Sequence, residues 1–105
     1  MKELEILKSI LASNFHYSFY EDAIKNIRHE INETSYYKEN WDDVMKFILN
    51  RKFSNGEALK LIHDTANLLL YNNTDEEAYR WLDLFLINVL IDTEVIPYVA
   101  VAPPL

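Results

Sequence analysis

The stretch TDEEAYRWLDLFLINVLID, residues 74–92, decides the fold. It begins with Thr74 and, three positions later, Glu77, which is the capping-box pattern that satisfies the free amides of a first helical turn. Apolar residues then repeat at helical spacing, and the predicted inner stripe comprises Ala78, Trp81, Leu82, Phe85, Leu86 and Val89. Asn88 interrupts the apolar run, which indicates a buried helix. We predict a helix over residues 75–92.

The same capping pattern occurs at Ser18–Glu21 and at Ser54–Glu57, each followed by apolar residues at helical spacing. Residues 34–37 are predicted to form a break, and Gly56, the only glycine, lies in a polar connection. Amphipathic helices with short connections favour an all-α fold, in the form of a compact antiparallel bundle or a related helical array. The periodicity predicts five helices, over residues 2–13, 19–33, 39–50, 55–67 and 75–92.

The C-terminal tail, residues 95–105, has a different pattern. Pro97 ends any helix, and the β-branched and small residues at 95–96 and 99–101 favour an extended strand. We predict a single helical domain over residues 1–94, followed by an extended or flexible tail. The tail can lie in a groove of the bundle, pair with a second copy or stay loose, and the sequence leaves these three alternatives open.

Composition excludes several classes of protein. The chain of 105 residues has no cysteine, so disulfides, thiolate zinc sites and thiol catalysis are excluded. The N-terminus mixes Lys2, Glu3, Glu5 and Lys8 with its apolar residues and lacks the apolar core of a signal peptide. No apolar stretch is long enough to span a bilayer. We expect a cytoplasmic protein.

Negative charge is concentrated after Lys60, where seven acids and one base, Arg80, give −6 of the total of −7. Residues 1–34 contribute −2 (six acids, four bases) and residues 35–60 contribute +1 (four acids, five bases). A field of this sign repels nucleic acid and anionic membranes and attracts a basic partner. We therefore expect a protein partner, with no direct binding to nucleic acid or membrane.

No pattern of catalytic or metal-binding residues accompanies this charge. The histidines, His16, His29 and His63, are too far apart in sequence to form a helical metal motif. The acid pairs Asp42–Asp43 and Glu76–Glu77 lie at predicted helix starts, where acids favourably meet the helix dipole. We expect no metal, no cofactor and no enzymatic activity; a small helical enzyme with a carboxylate–histidine site is the remote alternative.

Tyrosines next to acids are the best candidates for a binding surface. Tyr36 and Tyr37 lie in the predicted break, and Tyr79 falls close to the outer side of the last helix. At interfaces such rings supply contact area, and neighbouring carboxylates meet arginine or lysine. The alternative is that the rings only cover the edge of the core. The predicted partner-binding residues are Tyr36, Tyr37, Asp42, Asp43, Asp75, Glu76, Tyr79 and Asp83.

Residues 50–89, NRKFSNGEALKLIHDTANLLLYNNTDEEAYRWLDLFLINV, resemble the small acidic immunity proteins of bacterial toxin–immunity systems. These include immunity partners of contact-dependent growth inhibition toxins and helical colicin-type immunity proteins. The resemblance is carried by residues 73–79 followed by Trp81-Leu82-Asp83. It implies tight binding of one cognate toxin domain, often a basic nuclease, for which an acidic partner imitates nucleic acid. The alternative function is an adaptor or regulatory module, with homodimerisation through the tail left open.

Overall fold

The computed structural model describes residues 2–15, 18–66 and 72–98. Within these ranges the chain forms five α-helices and no strand, which confirms the all-α prediction. The radius of gyration is 13.2 Å, close to the roughly 13 Å expected of a compact chain of this length. The helices are α1 Lys2–Phe15, α2 Tyr20–Glu33, α3 Ser35–Leu49, α4 Glu57–Thr65 and α5 Asp75–Leu90.

Two helices organise the packing. Both α1 and α5 contact α2, α3 and α4, so these two helices share the same three neighbours. The predicted inner stripe of α5 is buried except for Val89, which is half-buried. In the part of the chain that is described, no helix combines the length and the apolar character needed to cross a bilayer. Completely buried aliphatic residues from the other helices complete the core: Leu7, Ile10, Leu11, Ile24, Ile27, Val44, Ile48 and Ile62.

An aromatic cluster joins the end of α1, the start of α2, α3 and α5. The Trp81 ring lies 5.2 Å from the Phe15 ring and 6.1 Å from the Tyr20 ring, both edge-on. It stacks on Phe85 with the ring centroids 5.8 Å apart. Phe85 in turn meets the Trp41 ring edge-on at 6.2 Å. Because aromatic rings bury large areas and prefer these relative orientations, the cluster fixes the mutual positions of four helices.

The predicted break at residues 34–37 is wrong, because α2 and α3 are joined by Thr34 alone. The Thr34 amide donates to the Glu30 carbonyl at 2.8 Å, and the Thr34 carbonyl accepts from the Lys38 amide at 3.0 Å. Thr34 therefore ends one helix and begins the next. Tyr36 and Tyr37 lie in the first turn of α3, since packing of Tyr37 against the core outweighs the low helix preference of this segment.

The three predicted capping boxes have different outcomes. Thr74 caps α5 as expected, since its hydroxyl accepts from the Glu77 amide at 3.2 Å. At α4 only the carboxylate half forms: Glu57 accepts from the Ser54 amide at 3.1 Å, while the N-cap is Gly56 at φ +79°, where glycine is favoured. The prediction for Ser18 is wrong. Phe19 is the N-cap of α2 and has no side-chain cap, because the helix begins one residue later than predicted.

The described part of the tail folds back along α5. Buried Asn88 forms two bonds with the Ile96 backbone: its Oδ1 accepts from the amide at 2.8 Å and its Nδ2 donates to the carbonyl at 2.9 Å. The Tyr98 hydroxyl donates to the Glu77 carboxylate at 2.9 Å, at the opposite end of the helix. Of the three alternatives for the tail, residues 95–98 therefore follow the one in which it lies in a groove of the bundle. No strand forms at residues 95–96, and residues 99–101 fall outside the described residues.

The C-terminal end of α5 is held by an arginine of α2. Nε of Arg28 donates to the Asn88 carbonyl at 2.7 Å, and its Nη1 donates to the Thr93 carbonyl at 2.9 Å. The Asn88 carbonyl belongs to the last turn of α5, and the Thr93 carbonyl lies just beyond the helix. Carbonyls of a last helical turn have no intrahelical amide as a partner, so Arg28 supplies a donor there. One side chain thus links α2, α5 and the start of the tail.

Stability at high pH should depend on Tyr98. Burial, together with the hydrogen bond to Glu77 and the charge of that carboxylate, raises the pKa of Tyr98 from 10 to about 12. The neutral phenol is the form that the fold favours, so its stabilisation is complete below pH 10 and is lost as the pH rises through about 12. We expect Tyr98→Phe to be less stable than the wild type at neutral pH and the difference to shrink at alkaline pH, measured by urea unfolding. A difference that is independent of pH would contradict this assignment.

Candidate protein-binding surface

The four predicted residues of α3 lie near the surface. The Tyr36 side chain is 52% exposed, and its ring centroid is 6.1 Å from that of half-buried Tyr37 at an angle of 49°. The Tyr37 hydroxyl is 3.1 Å from the Ser9 hydroxyl of α1, so this ring is fixed in place. Asp42 and Asp43 are exposed and form no ion pair with any residue that the structure describes. These two carboxylates are free to meet a partner.

Most of the predicted residues of α5 form contacts with other parts of the same chain. The Asp75 carboxylate accepts from the backbone amides of Gly56, at 2.6 Å, and Leu59, at 3.2 Å. It therefore binds the first turn of α4, where free amides and the positive end of the helix dipole favour an anion. Glu76 is exposed and forms no ion pair with the described residues.

The other two predicted residues of α5, Tyr79 and Asp83, both contact Arg51. Its guanidinium donates to both oxygens of Asp83, each at 2.8 Å, and lies 4.4 Å from the centre of the Tyr79 ring. Tyr79 was expected near the outer side of the helix, yet it is half-buried, with its ring 5.8 Å from that of Phe53. Burial is the main cause that raises the pKa of Tyr79. Among the acids after Lys60, Asp83 is thus paired with a base and Asp75 is bound by backbone amides. Four others are exposed and form no ion pair with the described residues: Asp64, Glu76, Asp92 and Glu94.

Glu77 reduces the exposed charge of α5 further. Its side chain is completely buried, and its carboxylate accepts from the Tyr98 hydroxyl and from the Asn72 amide. A buried carboxylate that receives several hydrogen bonds holds chain segments together and offers nothing to an external partner. Here it joins the start of α5 to the returning tail.

An acidic cluster that the sequence analysis missed lies around the α2–α3 joint. Residues 30–43 contain five acids and one base, Lys38, and so carry a net charge of −4. None of these acids forms an ion pair with the described residues. Dividing the chain at residue 34 hides the cluster because it splits the acids between two segments, whereas a running sum of charge identifies it. The five acids are Glu30, Glu33, Glu39, Asp42 and Asp43.

A groove of about 480 Å³ lies beside this cluster, between α1 and the start of α3. We call it the α1–α3 groove. Glu5 of α1 and Glu30 at the end of α2 both line it, and neither forms an ion pair with the described residues. Buried Asn14 donates from its Nδ2 to the Glu30 carboxylate at 3.2 Å. The groove is lined by Glu5, Ile6, Ser9, Ser13, Glu30, Thr34, Tyr36 and Tyr37.

A second, more apolar groove of about 340 Å³ lies where the tail crosses α2 and α5. Next to it in sequence is Phe19, whose side chain is 85% exposed. Exposed apolar surface of this kind is typical of protein contacts. The groove is lined by Tyr20, Glu21, Trp81, Val95, Pro97 and Tyr98.

The described residues include no group of three or more histidine, cysteine, aspartate or glutamate side chains that could hold a metal ion. His29 is exposed, His63 is half-buried, and His16 lies outside the described residues. What the two grooves and the acidic cluster provide is charge, hydrogen-bond acceptors and aromatic faces. These are the means of protein recognition.

Comparisons with protein-family models, with curated proteins and with solved structures found no match to this chain. The resemblance to immunity proteins therefore depends on residues 50–89 of the sequence alone.

The Arg51–Asp83 pair should contribute little to stability. Both side chains are partly exposed, and measured energies of such pairs are small because water and salt screen them. We expect Asp83→Asn to lower the free energy of unfolding by about 0.5–1 kcal/mol, with less effect in high salt. A double-mutant cycle with Arg51→Met isolates the pair, and Glu76→Gln on the same helix is the control. A coupling energy above about 2 kcal/mol would show that the pair behaves as a buried one.

Proposed function

We propose that this protein is a non-enzymatic immunity or inhibitor protein that binds and neutralises one basic bacterial toxin domain. The observation that carries the proposal is the acidic cluster at residues 30–43, whose carboxylates form no ion pair with the described residues. One of them, Glu30, lines the same groove as the exposed ring of Tyr36. The resemblance of residues 50–89 to immunity proteins supports the same class.

The proposed mechanism is charge recognition followed by aromatic contact. A coherent negative field attracts a cationic domain and accelerates its association. A nuclease binds the phosphate backbone through lysine and arginine, so a surface that presents several carboxylates competes for the same groups. Desolvated aromatic rings then stabilise the complex and slow its dissociation. Blocking the basic surface of the toxin is sufficient for inhibition.

The direct test is to mix the protein with the toxin domain encoded beside it and to measure binding and toxin activity at low and high salt. We expect a complex and loss of toxin activity. Neutralising Glu39, Asp42 and Asp43 together with the amides Gln and Asn should slow association by about 10-fold or more at low salt and much less at high salt.

The matched control neutralises three exposed carboxylates outside residues 30–43, namely Asp22, Asp64 and Glu94. It removes the same number of charges, so any difference between the two triple variants is due to location. No complex at micromolar concentrations, or unchanged toxin activity, would overturn the proposal. Equal effects of the two triple variants would overturn the role of residues 30–43.

The second candidate function is an adaptor or a homodimer, favoured by the apolar groove at the tail and the exposed ring of Phe19. Sedimentation of the full chain and of a form that ends at residue 98 separates the two candidates. A dimer that depends on the tail would favour the second, and a monomer in both forms would favour the first.

A further inference from the structure

We propose that the α1–α3 groove receives an arginine side chain of the bound partner, with its guanidinium between Glu5 and Glu30 and against the ring of Tyr36. The identity of the partner rests on the function proposed above. The preference of the groove for arginine rests on its own geometry.

The groove is built from two walls with charges of the same sign. Glu5 comes from α1 and Glu30 from the last turn of α2, and both line the same volume of about 480 Å³. Among the described residues, no lysine, arginine or histidine lines the groove. A positively charged group that enters it therefore meets carboxylates on two sides without competition from the lining residues.

One of the two carboxylates, that of Glu30, is held in position from inside the core. Asn14 is only 4% exposed, and its Nδ2 donates both to the Ile10 carbonyl, at 2.8 Å, and to the Glu30 carboxylate, at 3.2 Å. Because the amide is anchored to the backbone of α1, Glu30 loses less freedom when a ligand binds. A pre-positioned carboxylate binds more tightly than one on a freely rotating chain.

A pair of aromatic rings, Tyr36 and Tyr37, also lines the groove. The Tyr37 hydroxyl is fixed by Ser9 at 3.1 Å, and the Tyr36 ring, tilted by 49° relative to it, stays half-exposed. A guanidinium can lie flat on such a ring while its N–H groups point sideways to carboxylates. The groove offers both kinds of contact together.

These features favour arginine over other cations. The guanidinium has five N–H donors in one plane and can serve two carboxylates while it stacks on a ring. The lysine ammonium is a compact point charge that stays strongly hydrated and does not stack in this way. A divalent metal ion needs more closely grouped oxygen ligands, and no such group occurs among the described residues.

A probe that does not require the toxin tests the preference for arginine. We would titrate the full chain with acetyl-Gly-Arg-Gly-amide and follow the backbone and tyrosine signals by NMR. Shifts should be largest at Ser9, Tyr36 and Tyr37, and the lysine analogue should bind at least about threefold more weakly. Shifts spread evenly over the surface, or equal binding of both peptides, would overturn the assignment.

Matched variants separate the groove from the surrounding charge. Glu5→Gln combined with Glu30→Gln keeps the shape and the acceptor for Asn14 but removes both charges, and should abolish the peptide shifts. Asp42→Asn combined with Asp43→Asn removes two charges outside the groove and should leave most of the binding. Tyr36→Phe should bind like the wild type and Tyr36→Ala should not, because the ring face and not the hydroxyl makes the contact.

The same groove variant, measured against the toxin, distinguishes the two proposals. We expect it to weaken the toxin complex by roughly 10- to 100-fold, mainly through faster dissociation. If the toxin binds the groove variant as tightly as the wild type, the inference about the groove fails and the proposed function stands. If no toxin binds but the arginine peptide occupies the groove, the proposed function fails and the groove remains an arginine site.

Discussion

Replacing Trp81 with alanine is expected to lower the free energy of unfolding by about 3–5 kcal/mol, which is the cost of removing a large aromatic residue from a packed core. Trp81 is almost completely buried, and its ring contacts those of Phe15, Tyr20 and Phe85. The substitution removes the centre of the aromatic cluster and leaves a cavity between α1, α2 and α5. Chemical denaturation followed by far-ultraviolet circular dichroism measures the loss.

Two companion variants make this result interpretable. Trp81→Phe retains the ring stacking on Phe85 and should be clearly less destabilising than the alanine variant. Phe19→Ala removes an aromatic ring that is 85% exposed and should change the free energy of unfolding by less than about 0.5 kcal/mol. A loss below about 1.5 kcal/mol for Trp81→Ala would mean that the aromatic cluster does not hold the helices together.

Replacing Asn88 with alanine is expected to lower the free energy of unfolding by about 2–4 kcal/mol, since three hydrogen bonds made by one buried side chain are lost together. The residue is completely buried and bonds the amide and carbonyl of Ile96 and the hydroxyl of Tyr20. Residues 91–98 should come away from α5, so the Ile96 amide should exchange with solvent much faster. Hydrogen exchange and denaturation measure the two effects.

The tyrosine provides an independent measure of the same change. Burial raises the pKa of Tyr20, and the hydrogen bond from Asn88 partly lowers it, so removal of Asn88 should move this pKa further up if the ring stays buried. Asn26→Ala, at an exposed position of α2, is the control and should leave stability within about 0.5 kcal/mol. Unchanged exchange of the Ile96 amide would show that other contacts hold the tail.

The spacing of apolar residues was sufficient to predict that the helices exist, because the face of a helix that is buried must be apolar. The inner stripe of α5 and the helical class of the fold followed from spacing alone. The start of α3 could not be predicted, since serine and two tyrosines have modest helix preference and enter the helix only because Tyr37 packs on the core. In the sequence Asn88 looked like a polar interruption of α5, and Glu77 looked like a capping-box residue at its start. Their burial depends on partners in the returning tail, which periodicity does not indicate.

The binding surface was less predictable than the fold because charge compensation is a tertiary property. Asp83 and Arg51 are 32 positions apart in sequence, and nothing local indicates that they pair. Asp75 likewise binds the amides of another helix. Tyr36 and Tyr37 were correctly placed near the surface for the wrong reason, since a loop was expected where the first turn of a helix lies. The groove itself combines three helices that the sequence presents separately.

The joint at Thr34 has a consequence for how this surface can change in evolution. Since the single residue between the two helices, Thr34, has an extended backbone, an inserted residue would change the direction and the rotation of α3 relative to α2. Tyr36 and Asp43 would then point to another side of the protein. The number of residues between α2 and α3 is therefore constrained, whereas the exposed side chains of these helices can be substituted one at a time. Binding to a new partner can therefore evolve through substitutions of exposed side chains, while the angle between α2 and α3 stays constant.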